Sequence, residues 1–167
     1  MIKNEPTIND FLSCEIRKAN ELRGLWYYQL VKSAGRYGLD EEEFARGGIR
    51  KLGHLYRGLY PDTDSVPEFV GAFLSEHHIK QFGMQLKSLT EDEGVIHFHY
   101  CPMLGAWTKL SDDEKELGMI CDCAMDVDRG TFDCYEHIGF RLDKAIGCHG
   151  AYQFTHYSVP FSAGFCA

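Results

Sequence analysis

The sequence has no apolar run near the roughly 20 residues needed to cross a bilayer, so it predicts no membrane-spanning helix. It has no cluster of lysine or arginine: 17 basic residues are dispersed among 25 acidic ones for a net charge of −8. That balance argues against nucleic acid or an anionic membrane as the main partner. The opening residues, MIKNEPTINDFL, lack the basic start and apolar stretch of a secretory signal, so the expected location is cytoplasmic. There is no C-x-x-C pair, and Cys121 and Cys123 form C-x-C, which is the wrong spacing for a structural zinc site. Seven cysteines is an odd number in a chain without export signals, which predicts reduced thiols rather than a disulfide framework. No internal repeat or low-complexity segment is present.

What is there is the material of one globular domain: 167 residues, 44% hydrophobic and 13% aromatic, enough to bury a core without metal or disulfide staples. The expected division is a helical part over about 7–80 and a sheet with one prominent helix over about 82–160, in a single domain spanning 1–167. A first helix starts at Thr7, with Leu12, Ile16, Ala19, Leu22, Trp26 and Leu30 as its core stripe, and stops at Gly35 and Gly38. A second is capped by Asp40 with Glu43 three residues on, and carries Phe44, Leu52, Leu55 and Leu59. Gly47 and Gly48 inside it cost about 1 kcal/mol each against alanine, and mark close packing or a break. After Pro61, Asp64 or Ser65 caps a third helix with Pro67 in its first turn, and Phe69, Val70, Phe73, Leu74 and His77 mark its buried side.

Phe82 to Leu89 and Val95 to Tyr100 form a β-hairpin, Ser111 opens a helix running to about Arg129, and Ile138 to Leu142 and Ala151 to Val159 are two more strands. These elements predict an α+β domain: an antiparallel sheet of about four strands, with the N-terminal helices and one inserted helix packed mainly on one face.

Residues 95–130 hold most of the candidate chemistry. Strand alternation puts Ile96, Phe98 and Tyr100 on one face and Val95, His97, His99 and Cys101 on the other, where imidazole beside a thiol favours thiolate. The same three donors, His97, His99 and Cys101, are the alternative ligands of a mononuclear zinc. On the following helix Leu117, Cys121, Ala124 and Asp128 share one stripe, so Asp128 lies among apolar residues and must be partnered or protonated. Cys148 and His149 in GCHG form a local pair best read as structural, and Cys14, Cys134 and Cys166 are expected to pack.

The run YCPMLGAW from Tyr100, followed by CDCAMDVDRG, resembles the L-2-amino-thiazoline-4-carboxylic acid hydrolase family. The matching positions are Cys101, Pro102, Trp107, Cys121, Asp122, Ala124, Met125, Asp128, Arg129, Gly130, Phe140 and Leu142; the chain departs from the family pattern at Tyr152, where a third cysteine is expected. The resemblance implies hydrolytic opening of a small cyclic amidine. In that reading Cys101 or Cys121 attacks or holds the amidine carbon and Asp122 or Asp128 relays protons, with His97 or His99 as the alternative base. Arg129 pairs with the substrate carboxylate, and Trp107, Met125 and Tyr152 complete the binding residues. It needs no cofactor, no metal, no nucleic acid and no membrane; the partner is a small-molecule substrate, and homo-oligomerisation stays open. The competing readings are a small-ligand-binding or sensor domain without turnover, and a zinc-dependent hydrolase.

Overall fold

The computed structural model describes residues 4–143 and the backbone of 151–156. Helix α1 covers Phe11–Arg36, α2 Glu41–Tyr56 with a 3-10 turn after it, α3 Val66–Phe73 and α4 Glu76–Phe82. The hairpin follows as β1 (Met84–Leu89) and β2 (Glu93–Phe98), then α5 (Pro102–Trp107), α6 (Glu114–Ala124), α7 (Asp126–Phe132), β3 (Ile138–Leu142) and β4 (Ala151–His156). The class is α+β, as the sequence indicates, and no helix among the described residues is long and apolar enough to cross a membrane.

Local chemistry sets the helix ends. Asp10, not Thr7, caps α1, its carboxylate accepting from the Ser13 N–H, while Asp40 and Ser65 cap α2 and α3 through the N–H three residues on. The chain leaves α1 through Gly38, whose φ of 81° a side chain would resist. The third helix breaks at Leu74 and Ser75 restarts the chain as α4, so His77 is exposed and His78 is half-buried, its ring nitrogen against the Phe73 carbonyl. Asp113, two residues beyond Ser111, caps α6. The expected single helix to Arg129 divides at Met125, where α6 ends and α7 begins.

The strands are antiparallel, in the order β1-β2-β4-β3. In β2 burial alternates, and Ile96 and Phe98 point into the core as expected. That core gathers Phe69, Phe73, Leu104, Trp107, Leu117, Ile120 and Phe132. Tyr60, Phe69, Phe132 and Tyr135 form an aromatic group, with ring centroids 4.7 Å apart for Phe69 and Phe132 and 5.2 Å for Phe69 and Tyr135.

The outer faces of α1 and α2 reverse the expectation. Leu12, Leu22, Trp26 and Leu30 are exposed, as are Phe44, Leu55 and Leu59. The buried face of α1 is Ser13, Arg17, Gly24, Tyr28, Val31 and Ala34. Small residues decide this: a Cβ on Gly24 would lie 2.8 Å from the Met103 backbone, so glycine lets α5 seat against α1. Gly47 and Gly48 neither break α2 nor pack closely, for added Cβ atoms there would meet nothing within 4 Å.

Candidate functional site

The predicted site residues fall into separate environments. At the end of the hairpin, His97 and His99 stay on the outer side of β2, their ring centroids 6.3 Å apart, and a ring nitrogen of His99 meets the Gln85 amide at 3.2 Å. Burial, followed by Lys87 and His99, lowers the pKa of His97 and favours its neutral form.

Cys101 does not join that face. The strand ends at Phe98, so the two-residue alternation stops before it reaches Cys101, which instead caps α5 and lies in the core with Phe98 and Leu104. Asn4 clamps its backbone, accepting from the Cys101 N–H at 2.7 Å and donating to its carbonyl at 2.9 Å. Burial pushes the thiol pKa up, and the N–H groups of Leu104 and Met103 offset this only in part. The imidazole-activated thiolate and the three-donor zinc site are therefore both corrected. Among the described residues no group of three or more His, Cys, Asp or Glu could hold a metal ion.

Trp107 is a core anchor. It is fully buried, its indole N–H donates to the Gly24 carbonyl at 2.8 Å, and Tyr27 packs on it at 5.7 Å. It ties α5 to α1 and offers no surface to a substrate. Cys121 and Met125 are buried in the same core. Cys14, Cys101, Cys121 and Cys123 are reduced, whereas Cys134 is disulfide-bonded, against the expectation of a packing thiol. Tyr152 pairs through its backbone with Ile96 and Leu142; its side chain, Cys148, His149 and Cys166 lie outside the described residues.

The charged members of the motif form a network. Asp122 accepts from Arg46 at 2.6 Å and from Arg129 at 2.7 Å. Burial raises its pKa, but the hydrogen bonds from Arg129 and Arg46 outweigh this and hold the carboxyl below its usual range. Asp126 is buried and bonds Arg46 at 3.2 Å and Arg129, which also donates to the Asp122 carbonyl at 2.9 Å. Arg129 is thus engaged by the Asp122 carboxylate, the Asp122 carbonyl and the Asp126 carboxylate. Sequence reasoning missed Arg46 and Asp126; the (i, i+4) pair of Glu42 and Arg46 was readable, but its extension to α6 and α7 was not. Asp126 also borders an open groove of about 620 Å³ with Glu42, Glu43, Arg46 and Arg50.

Asp128 stands apart. It is half-buried, and burial pushes its carboxyl up to about 7 against the pull of Arg129. Among the described residues no hydrogen bond or ion pair reaches that carboxyl. It is close enough to Tyr60 to be, after burial, the largest cause of the raised pKa of that phenol. Tyr60 belongs to the aromatic group of Phe69 and Phe73, at 5.3 and 5.9 Å. The arrangement is a carboxyl able to hold or release a proton near neutrality beside a phenol that keeps its own. Comparison of the chain with protein-family models, with curated proteins and with solved structures finds no significant match.

Proposed function

We propose that this chain is a small-molecule hydrolase of the kind its motif resembles, opening a 2-amino-thiazoline-type ring on an α+β scaffold whose sheet has about four strands. The observation that carries the reading is the carboxyl of Asp128, which has no hydrogen bond or ion pair among the described residues and is desolvated beside Tyr60. A general acid and base needs a group that is neither fixed as an anion nor locked to a cation. Asp122 fails that test through Arg46 and Arg129, and the raised Cys101 pKa disfavours that thiol as nucleophile.

Water is then the attacking group. Its oxygen bonds to the amidine carbon as Asp128 takes one proton and delivers it to the ring nitrogen. The hydroxyl proton of the tetrahedral adduct follows the sulfur as the carbon–sulfur bond breaks, leaving a ureido thiol. The test is thiol release from 2-amino-thiazoline-4-carboxylate. Asp128→Asn is expected to lower the rate about 100-fold or more, as loss of a general acid and base does, while Cys101→Ser keeps most of it. No release by the unmodified chain, or equal rates in Asp128→Asn, refutes the reading.

A binding domain without turnover is the second reading, favoured by Tyr152 standing where the resembled family has a cysteine. It predicts a ligand-dependent rise in melting temperature with no product.

A further inference from the structure

Helix α1 carries a solvent-facing apolar row that nothing in the described chain covers. Leu12 is 52% exposed, Leu22 56%, Trp26 70% and Leu30 59%, and Phe11 at the helix start is 82% exposed. A tryptophan this open in the middle of a helix costs solubility and contributes nothing to the monomer's core. Beside it, Leu30 and Phe44 border a groove of about 620 Å³ between α1 and α2 that runs over Gly47 and Gly48. Added Cβ atoms on those glycines would meet nothing within 4 Å, so the groove floor is open.

We propose that this face is the two-fold interface of a homodimer, in which α1 packs antiparallel against α1 of a second copy. The row reads nearly the same in both directions. Leu12, Ile16 and Ala19 precede a midpoint near residue 21, and Leu22, Trp26 and Leu30 follow it at similar spacings. In an isologous contact residue i meets j and j meets i, so apolar residues at mirrored positions are set opposite one another. Antiparallel pairing about that midpoint sets Leu12 opposite Leu30 and Ile16 opposite Trp26, with the small Ala19 near the axis where two helices approach most closely. It also brings Phe11 of the second copy to the groove beside Leu30 and Phe44.

The area suits a second copy. Phe11, Leu12, Leu22, Trp26, Leu30, Leu39 and Phe44 together leave on the order of 900 Å² open, and a standard-size interface uses about 800 Å² per partner. Tryptophan at the centre of such a patch is the residue type that dominates interface energies. The net charge of −8 argues against an anionic lipid surface as the occupant.

Sedimentation velocity on the full chain over about 1–100 μM, a range in which interfaces of this size associate, is expected to show twice the chain mass. Trp26→Glu and Leu22→Glu are expected to give monomers with unchanged circular dichroism and melting at low concentration, and Leu86→Glu, on β1, to remain dimeric. Trp107 is fully buried, so acrylamide-quenchable fluorescence reports Trp26 and is expected to fall as the dimer forms. A monomer throughout the range, a dimer that survives Trp26→Glu, a dimer lost in Leu86→Glu, unaltered quenching on association, or binding of a monomer to phosphatidylcholine vesicles would each overturn the proposal.

Discussion

Gly53 of α2 and Gly130 of α7 face each other at a helix crossing where neither position has room for a side chain. A Cβ on Gly53 would lie 2.8 Å from the Gly130 Cα and 2.2 Å from the Val127 carbonyl oxygen, and one on Gly130 would lie 2.2 Å from the Arg50 carbonyl oxygen. Thr131 fastens the crossing, its hydroxyl donating to the Gly53 carbonyl at 3.0 Å. Gly130, the last residue of the family-like motif, therefore has a packing reason to be glycine whatever the chain does.

The obstructing atoms are backbone and cannot swing aside. Gly130→Ala and Gly53→Ala are each expected to destabilise by about 2 kcal/mol, overpacking outweighing the roughly 1 kcal/mol that alanine offers a helix. Gly48→Ala, with open space at its Cβ, is expected to stabilise by up to about 1 kcal/mol. Urea unfolding of the three variants checks the opposite signs.

Asp126 and Asp122 share Arg46 and Arg129 but differ in exposure, the Asp126 side chain being 4% exposed and that of Asp122 37%. Removing a buried anion strands its partners, so Asp126→Ala is expected to cost about 3–5 kcal/mol. Asp122→Ala, at a wetter site, is expected to cost about 1 kcal/mol. Equal losses in denaturant titrations would show that the network is not anchored on Asp126.

What was legible in the sequence was local. Asp40 and Ser65 cap their helices because a side-chain oxygen reaches the N–H three residues on, a relation contained within a few positions. The facing of Ile96 and Phe98 followed from the strand period in the same way. Misreading began where a period was carried past an element's end, as at Cys101, beyond the last strand residue Phe98. The period of α1 correctly marked an apolar row and assigned it to the wrong side, because close approach at Gly24 and the Trp107 bond to its carbonyl outweigh greasiness in choosing the buried face. The stripe that joined Asp128 to Leu117, Cys121 and Ala124 likewise ran across the division at Met125, and the pairing of Arg46 with Asp126, 80 positions apart, left no local signal.

The thiols should separate by reactivity. Cys101 and Cys123 are buried with raised pKa values, burial taking Cys123 to about 11, whereas Cys14 is half-buried. At pH 8 a thiol of pKa 11 is thiolate about one part in a thousand, against roughly a quarter for an ordinary cysteine. Iodoacetamide on the native chain is expected to label Cys14 well before Cys101 and Cys123, with all three labelled alike in denaturant. Peptide mass spectrometry reads the order, and early labelling of Cys101 would reopen it as a nucleophile.

Asp128 also sets a pH dependence with a definite sign. Its carboxyl sits at about 7 in the folded chain against the ordinary 3.8. Between those values the folded state holds a proton that the unfolded state gives up, so the contribution to stability is full below pH 3.8, falls as pH rises, and is lost above 7. A shift of that size corresponds to at most about 4 kcal/mol. In Asp128→Asn the slope is removed while the histidines, including the depressed His97, remain to titrate in both proteins. Urea unfolding at intervals from about pH 4.5 to 8 is therefore expected to show the unmodified chain losing stability relative to Asp128→Asn as pH rises, with the gap levelling off above 7. Parallel curves would mean that the carboxyl is solvated, and would remove the general acid and base from the proposed reaction.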